Sequence, residues 1–289
     1  MKRLLILSGK GGTGKTTLAS SLIKLSDSKA YADCDVDAPN LHLVMTEETE
    51  PINSDYYGLP TALIDSEKCI SCDLCRQSCR FNAIDVTDGT YVVNQFSCEG
   101  CKVCQLVCPV EAVEMVDRVT GRLSLYKNDH VFSTAELEMG SGNSGLLVTE
   151  VKKNLYKNVA NEELAIIDGS PGIGCPVIAS ISGIDLVLLV AEPTISGFSD
   201  MERIIKTSQG FPAKLAVCVN KFDLHIENTE KIIQYCKTND IEFVGTIPFD
   251  ADAPKLVNQG KTLIEKEGPA KDAIEEIYEK SLNILYRED

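Results

Sequence analysis

Eight of the twelve cysteines in this chain form two runs with the same spacing, Cys-x-x-Cys-x-x-Cys-x-x-x-Cys. The first run is Cys69, Cys72, Cys75 and Cys79, and the second is Cys98, Cys101, Cys104 and Cys108. Four thiolates at this spacing can hold an iron–sulfur cluster. Zinc is an alternative, but zinc sites usually combine two paired Cys-x-x-Cys or Cys/His units, and the three histidines lie far from these cysteines.

The two runs resemble the cysteine pattern of bacterial ferredoxins, in which the fourth cysteine of each run binds the other cluster. The resemblance implies one [4Fe–4S] cluster on Cys69, Cys72, Cys75 and Cys108, and a second on Cys79, Cys98, Cys101 and Cys104. Pro109 follows the last cysteine as in that pattern, whereas Arg80 stands where proline is usual. The departure concerns the geometry of the turn rather than the ligands, and we hypothesise that the arginine raises the potential of its cluster.

A glycine-rich loop near the N-terminus has the residues needed to bind phosphate. An apolar run precedes the loop, and a segment with helical character follows it. Backbone N–H groups of such a loop surround phosphate oxygens, while Lys15 would reach the β- and γ-phosphates and the Thr16 hydroxyl would bind Mg²⁺. The nucleotide-binding residues predicted here are Gly11, Gly12, Thr13, Gly14, Lys15, Thr16 and Thr17.

Lys10 precedes these residues and gives the loop the deviant Walker A form, Lys-Gly-Gly-x-Gly-Lys-Thr. With this loop the chain resembles the MinD/Mrp/ParA and nitrogenase iron protein group of ATPases, and most closely the MinD-type ATPases with an inserted ferredoxin domain. The resemblance covers essentially the whole chain. It implies an Mg²⁺-dependent ATPase that works as a sandwich dimer, with itself or with a related ATPase, in which Lys10 contacts the partner's ATP.

The same resemblance implies roles for three acidic residues that follow strand-like runs. Asp33 and Asp35 lie in a segment similar to the family's switch I, where Asp35 would orient the attacking water and Asp33 would lie near Mg²⁺. Asp168 matches the Walker B acid, which holds Mg²⁺ or its water. The alternative for the switch I segment is a solvated acidic turn.

Base recognition is implied at two further positions. Asn220 matches the base-recognition asparagine of the family, and Pro248 lies in a segment that resembles the loop packed on adenine. The guanine-selective pattern Asn-Lys-x-Asp is also present, from Asn220 to Asp223, so a GTPase is a competing interpretation. The deviant Walker A loop favours ATP.

Strand-like and helix-like segments alternate along most of the chain, which predicts an α/β fold with a mostly parallel sheet flanked by helices. The predicted strands lie at residues 3–8, 30–33, 164–168, 186–191, 214–219 and 241–246, with a hairpin at 122–137. The cysteine-dense segment repeats itself with an offset of 29 residues and is expected between the second and third main strands. We therefore expect an ATPase domain in two parts, residues 1–58 and 119–289, with a ferredoxin-like α+β domain at residues 59–118 inserted between them.

Composition limits the classes of partner. The net charge is −15 and no basic patch is evident, so nucleic-acid binding is not expected. No apolar run approaches the length of a membrane span, and the helix predicted at residues 269–286 is acidic rather than basic, so no membrane association is expected. A cytoplasmic location follows from these features, and a reducing cytoplasm disfavours disulfides.

Two functions are consistent with an ATPase that carries clusters: ATP-gated electron transfer to a redox partner, and assembly or delivery of an iron–sulfur or other metallocofactor. A positioning switch like ParA or MinD is disfavoured by the clusters, and a cobyrinate amidase-like ligase would need a glutaminase domain. Of the cysteines outside the runs, Cys34, Cys218 and Cys236 are scattered, and the latter two are predicted to be core thiols. Cys175 follows Asp168 by seven residues and is either structural or a cluster ligand.

Overall fold

The apolar runs of the sequence form most of the strands of a nine-stranded sheet in the computed structural model, which describes residues 1–45 and 49–288. The strands are β1 (Lys2–Ser8), β2 (Ala30–Asp33), β3 (Ile52–Tyr57), β4 (Thr61–Ile64), β5 (Ile84–Thr87), β6 (Thr90–Val93), β7 (Val113–Val116), β8 (Val119–Lys127), β9 (Val131–Leu137), β10 (Leu164–Asp168), β11 (Leu186–Ala191), β12 (Lys214–Asn220) and β13 (Glu242–Ile247). Residues 46–48 and 289, which belong to the predicted domains, lie outside the described residues.

Helices connect and cover these strands. They are α1 (Lys15–Ser26), α2 (Leu41–Val44), α3 (Leu74–Gln77), α4 (Val103–Leu106), α5 (Ser144–Asn158), α6 (Cys175–Ile181), α7 (Ile195–Ser208), α8 (Ile226–Thr238), α9 (Ala253–Asn258) and α10 (Pro269–Tyr286), with single 3-10 turns at Phe222–Leu224 and Leu263–Glu265. None of the helices in the described part of the chain is long and apolar enough to cross a membrane.

The main sheet has the order β13-β12-β11-β1-β10-β2-β9-β8-β3. Its strands from β13 to β9 are parallel, and both faces of β1 are packed, so that Leu4, Leu5, Ile6 and Leu7 are fully buried. A continuous apolar strand of this kind is typical of a parallel sheet covered by helices on both sides. The predicted α/β fold with a mostly parallel sheet is confirmed.

The predicted hairpin is also present, because β8 and β9 pair antiparallel. The cysteine segment lies along the chain between the strands at residues 30–33 and 164–168, and the structure adds a strand next to it that the sequence analysis did not predict. A further strand, β3, precedes the segment and pairs antiparallel with β8, so the segment leaves the sheet between β3 and β8 at its antiparallel edge. The sequence of β3 is polar and mostly exposed, which explains why no apolar run marked it.

The cysteine segment forms two small antiparallel sheets, β4 with β7 and β5 with β6. The 29-residue offset maps β4 onto β6, β5 onto β7 and α3 onto α4. Matched backbone bonds cross between the repeats, since Asp65 N–H donates to Ala112 O and Asn94 N–H donates to Ala83 O. The sequence repeat is therefore a structural repeat with twofold character.

Both ends of this segment meet the sheet at the edge where the parallel strands end. Tyr57, the last residue of β3, pairs with Val119, and Gly121 pairs with Leu137 at the C-terminal end of β9. Because β9 is parallel to β2, its C-terminal end lies on the same side of the sheet as the C-terminal ends of β1, β2 and β10. Ligands of open α/β sheets bind on that side.

Candidate functional site

The polar residues singled out in the sequence come together at the C-terminal ends of neighbouring strands. Asp33 ends β2, Asp168 ends β10 and Asn220 ends β12, while the glycine-rich loop joins β1 to α1. A cleft of about 1200 Å³ opens over these strand ends. The residues that line it include Lys10, Gly11, Gly12, Gly14, Lys15, Thr16, Thr17, Asp35 and Asn40.

The loop holds a conformation that requires glycine at its end. Gly14 caps α1 with φ of 93°, in the left-handed region that favours glycine. A Cβ at this position would also lie 2.2 Å from Nδ2 of Asn220. Lys15, Thr16 and Thr17, the first residues of α1, line the cleft, so the helix N-terminus lies where such termini bind anions.

Lys15 lies among acidic groups at the floor of the cleft. Its Nζ is 2.6 Å from Oδ1 of Asp168 and 3.9 Å from Oδ2 of Asp35, and its side chain is 6% exposed. Thr16 Oγ1 donates to the other oxygen of Asp168 at 2.6 Å. Burial alone would lower the pKa of Lys15, but the nearby carboxylates of Asp168, Asp33 and Asp35 outweigh it and raise that pKa, so the lysine stays charged.

Asp33 uses both carboxylate oxygens to hold the switch I loop (residues 34–40). Oδ1 accepts the N–H of Asp35, and Oδ2 accepts the N–H groups of Asn40 and Leu41, all at 2.9 Å. The side chain is fully buried. Burial, together with the charge of Asp168, raises its pKa. Asp33 thus holds switch I in place through these three hydrogen bonds. If Asp33 also lies near Mg²⁺, as predicted, the ion must bind while these bonds remain.

Two acidic residues of the loop, Asp35 and Asp37, line the cleft, and Asp35 is the one that forms an ion pair with Lys15. Burial raises its pKa to about 6, with further contributions from the charges of Asp168 and Asp37, while Lys15 acts in the opposite direction. A carboxyl group poised near neutral pH suits a residue that orients and deprotonates water.

Lys10 is held by its own chain through a residue that the sequence analysis did not single out. Its Nζ lies 2.9 Å from Oε2 of Glu192, and the Nζ of Lys221 lies 3.0 Å from Oε1 of the same carboxylate. Glu192 directly follows β11, so the rule that placed the other acids at strand ends would also have found it.

The predicted base-recognition residues line a second cleft of about 870 Å³, next to the first. Asn220 and Pro248 both lie there, together with Gly12, Gly14 and Thr17, which the two clefts share. The amide of Asn220 donates to Thr13 O at 2.7 Å, and its oxygen accepts the N–H of Lys221. The two clefts together make a continuous groove along the phosphate-binding loop.

The eight spaced cysteines divide into two separate recesses. Each recess is narrow and open to solvent, with a cavity of about 20 Å³. Cys69, Cys72, Cys75 and Cys108 line the first, and Cys79, Cys98, Cys101 and Cys104 line the second. Each recess thus takes three cysteines from one run and the fourth from the other, as the ferredoxin pattern implies.

Backbone N–H groups point at sulfur at matched places in the repeats. Ala83 N–H donates to Sγ of Cys79 at 3.4 Å, and Ala112 N–H donates to Sγ of Cys108 at 3.2 Å. Bonds of this kind to a ligand sulfur tune the metal group that it binds. Within the described residues, no group of three or more His, Cys, Asp or Glu side chains is arranged to hold a single metal ion.

The remaining cysteines differ in exposure. Cys34, Cys218 and Cys236 are buried, and burial raises the pKa of each thiol, to about 12 for the first two and about 11 for Cys236. The prediction that Cys218 and Cys236 are core thiols is confirmed. Cys175 is exposed at the start of α6, and its role stays open.

Comparisons with known proteins agree with this architecture. The model of the CobQ/CobB/MinD/ParA nucleotide binding domain matches residues 4–264. The uncharacterized protein MJ0578 of Methanocaldococcus jannaschii is 35% identical over 281 residues, which cover 96% of this chain and 95% of that protein.

Two solved structures have a similar fold. The MinC:MinD cell division protein complex of Aquifex aeolicus gives a TM-score of 0.57 at 18% identity, covering 98% of this chain and 96% of the other. The septum site-determining protein MinD of Pyrococcus horikoshii, complexed with Mg-ADP, gives 0.56 at 17% identity, covering 96% and 95%. The family match spans most of the sequence and includes the phosphate-binding loop. The chain is therefore an ATP-binding P-loop ATPase of the CobQ/CobB/MinD/ParA family.

Proposed function

We propose that this ATPase couples Mg²⁺-dependent ATP hydrolysis to two [4Fe–4S] clusters, and that it gates electron transfer to a partner protein. The observation that carries the proposal is the distribution of the eight cysteines, four in each recess and crossed between the runs. Neither a zinc site nor a disulfide requires that three cysteines of one run be grouped with the fourth cysteine of the other. In the proposed organisation, residues 59–118 are the ferredoxin-like domain, and residues 1–58 and 119–289 are the ATPase domain.

The properties of the recesses fit the clusters. In a [4Fe–4S] cluster four thiolates each bind a different iron, so four cysteines spread around a cavity suit it better than they suit one small ion. One cysteine of each recess, Cys75 or Cys104, is buried, and one, Cys72 or Cys101, is exposed. When bound, the clusters would accept and release single electrons, and the exposed cysteines would leave an edge of each cluster accessible to a partner.

The geometry of the cleft supports the assignment of the ATPase residues. ATP would draw the Nζ of Lys15 away from Asp168 and towards the β- and γ-phosphates. That movement frees Asp168 and Thr16, already bonded to each other, to hold Mg²⁺ and its water. Asp35, on the loop above, would orient the water for attack on the γ-phosphate.

We further propose that hydrolysis requires a dimer in which Lys10 reaches the ATP of the partner, a homodimer or a heterodimer with a related ATPase. Support comes from the position of Lys10, which lies at the mouth of the cleft with its side chain 37% exposed. Nucleic acid and membrane are not proposed as partners, and a cytoplasmic location stays a prediction.

ATP is favoured over GTP by the surroundings of the guanine-like pattern. Oδ1 of Asp223, which would bind guanine in that pattern, accepts the N–H of Phe249 at 2.8 Å. The acid therefore fixes the loop that carries Pro248 instead of facing the base cleft, where Pro248 and Phe249 offer an apolar surface for adenine.

The test is metal analysis of protein purified without oxygen. We expect about eight irons per chain and broad absorption at about 400 nm. Cys108→Ser should halve the iron by damaging the first cluster, and Cys79→Ser should damage the second. Cys175→Ser, which changes an exposed cysteine outside both recesses, is the matched control and should keep the full iron content.

Other outcomes separate the alternatives. Stoichiometric zinc without the absorption would refute the clusters and leave a MinD/ParA-like switch as the better hypothesis. Bound iron that leaves the protein for an apo-protein acceptor during ATP turnover, with no electron transfer to a redox partner, would favour the assembly or carrier function.

A further inference from the structure

A short loop, residues 138–143, joins β9 to α5 and lies between the nucleotide site and the cysteine segment; we call it the connecting loop. Its first end is tied to switch I. Leu137 N–H donates to Val36 O at 2.9 Å, and Val36 directly follows Asp35. Switch I is in turn tied to the Walker B region, because Cys34 N–H donates to Asp168 O at 2.7 Å and the Ser170 hydroxyl donates to Cys34 O.

The second end of the connecting loop packs against the switch II region. Gly145, in the first turn of α5, approaches Cys175 so closely that an added Cβ would lie 3.1 Å from its backbone oxygen. Cys175 is the first residue of α6, directly after residues 169–174, which follow Asp168. Both segments expected to sense the γ-phosphate therefore contact the ends of one short loop.

The middle of the connecting loop lies on the second cysteine repeat. Gly140 has φ of 78°, and a Cβ there would be 3.1 Å from Cδ1 of Phe96. Arg118 completes the contact, since its guanidinium lies 4.9 Å from the centre of the Phe96 ring and 3.4 Å from the carboxylate of Glu138. The same guanidinium donates to Gln95 O at 3.4 Å.

The contact is asymmetric between the two recesses. A crevice of about 370 Å³ between the connecting loop and the cysteine segment is lined by Cys98 and Glu99 of the second recess. In the part of the chain that the structure describes, none of the residues that line the first recess also lines this crevice. Phe96 lies two residues before Cys98, so a displacement of its ring would act on that ligand first.

We propose that the connecting loop transmits the nucleotide state to the second recess and leaves the first unaffected, with Phe96 and Arg118 as the positioning residues. This inference rests on the proposed function, namely on clusters in both recesses and on an ATP-driven change in the switch segments. A ligand shifts a conformational equilibrium only through contacts that differ between states, and this loop is where such contacts reach a cysteine ligand. The second cluster would then respond to nucleotide, while the first would not.

The experiment is hydrogen exchange on the full-length, iron-loaded protein, with Mg-ADP compared with a non-hydrolysable ATP analogue. The repeat supplies an internal control, because residues 94–101 and residues 65–72 are equivalent, and Cys98 N–H and Cys69 N–H make matched bonds to Asn94 O and Asp65 O. We expect exchange of residues 94–101 to differ at least about fivefold between the nucleotides, and residues 65–72 to exchange equally.

Phe96→Ala and Arg118→Ala should remove that difference without lowering the iron content. Phe96 is 64% exposed, so its truncation does not threaten folding. Arg122→Ala, which changes an exposed arginine of β8 four residues after Arg118, should keep the difference. Protein that binds no iron would refute the proposed function itself. Three results with iron-loaded protein would overturn this inference alone. They are an equal nucleotide-dependent difference in both repeats, no difference in either repeat, and a difference at residues 94–101 that Phe96→Ala leaves unchanged.

Discussion

The nucleotide region and the cysteine region differ in what holds them together. Around the nucleotide site, two large clusters of buried apolar side chains pack on the two faces of the sheet. The cysteine region has a small core in which two of the members are themselves cysteines: Ala62, Cys75, Ile84, Cys104 and Val113. A segment of about 60 residues with so little apolar burial has a small margin of stability, and a bound metal group is one way in which small domains increase it.

The nucleotide region and the cysteine region also differ in how buried charge is compensated. The nucleotide site neutralises its own buried acids, because Lys15 occupies the space among Asp35 and Asp168 where cations would bind. In the cysteine recesses the lining residues are mainly cysteines and apolar side chains, with Asp73 in the first recess and Glu99 and Lys102 in the second. The nucleotide site is balanced by its own side chains, whereas under the proposed function the recesses would gain stability from the clusters that they bind.

The largest expected effect follows from that difference. Removing iron with a chelator under anaerobic conditions should unfold the cysteine segment and leave the ATPase sheet folded, because the free energy of metal binding is then free energy of folding. Hydrogen exchange would show loss of protection at β4, β5, β6 and β7, with β1 and β11 unchanged. Retained protection in the iron-free segment would break the comparison, since its small core would then suffice.

The second largest effect concerns the buried cation. Lys15→Ala should abolish ATP binding, with a loss of hydrolysis on the order of 100-fold or more. It should also destabilise the nucleotide-free protein by about 3 kcal/mol, because it leaves buried acids without their counter-ion. Denaturant unfolding measures the second effect.

Lys24→Ala is the control for this change. Lys24 lies on the same helix, α1, but forms an exposed pair with Glu265, so its loss should change stability by less than about 1 kcal/mol and leave hydrolysis intact. Equal stability of the Lys15 and Lys24 variants would show that the acids do not depend on Lys15.

Much of this arrangement could be predicted from the sequence, because it depends on short-range patterns. Apolar runs followed by polar residues gave the strand ends that carry Asp33, Asp168 and Asn220. The 29-residue repeat predicted the pseudo-twofold symmetry of the cysteine segment from spacing alone. The crossed grouping of its cysteines was implied by the resemblance to bacterial ferredoxins, and the two recesses have that grouping.

The features that were missed depend on partners distant in the sequence. The backbone bonds of Asp33 can be counted only once the loop is folded around it. Glu192 pairs with Lys10 across 182 residues, and Phe96 meets Arg118 and Gly140 only in the tertiary structure. The polar strand β3 lacks the apolar pattern because it lies at the edge of the sheet, mostly exposed to solvent.

A smaller effect tests how completely the nucleotide site balances its charge. The pKa of Asp35 is about 6 in the folded protein, against 3.8 as the ordinary value. Because the folded state binds this proton more tightly, ionisation costs stability as pH rises from about 4 to about 6, and the full cost remains above that window. In the nucleotide-free protein, Asp35→Asn should therefore be more stable than the wild type at neutral pH, by about 2 kcal/mol.

The extra stability of Asp35→Asn over the wild type should shrink as the pH is lowered through about 6, while hydrolysis is lost at every pH. Urea unfolding of both proteins near pH 7.5 and near pH 5 measures this stability difference. Glu230→Gln, which changes an exposed acid on α8 outside both clefts, should alter stability by less than about 0.5 kcal/mol. If the stability difference between Asp35→Asn and the wild type were the same at both pH values, Lys15 would already neutralise the charge of Asp35 in full.

The smallest expected effect concerns Glu192, at the mouth of the cleft. Glu192 forms an ion pair with Lys10, as Asp168 does with Lys15. Burial would raise the pKa of Glu192, but hydrogen bonds from Lys10 and Lys221 lower it, so the carboxylate stays charged and keeps Lys10 on its own chain. In the proposed dimer, Lys10 must leave this pair to reach ATP on the partner. Glu192→Gln should therefore lower the ATP concentration at which dimers form, by at most about fivefold, because a half-exposed ion pair contributes no more than about 1 kcal/mol.

Sedimentation of the variant against Glu276→Gln, which breaks an exposed pair with Lys280 on α10, measures the change. If the Glu192 variant dimerised less readily than wild type, Glu192 would be part of the dimer contact rather than a restraint on Lys10.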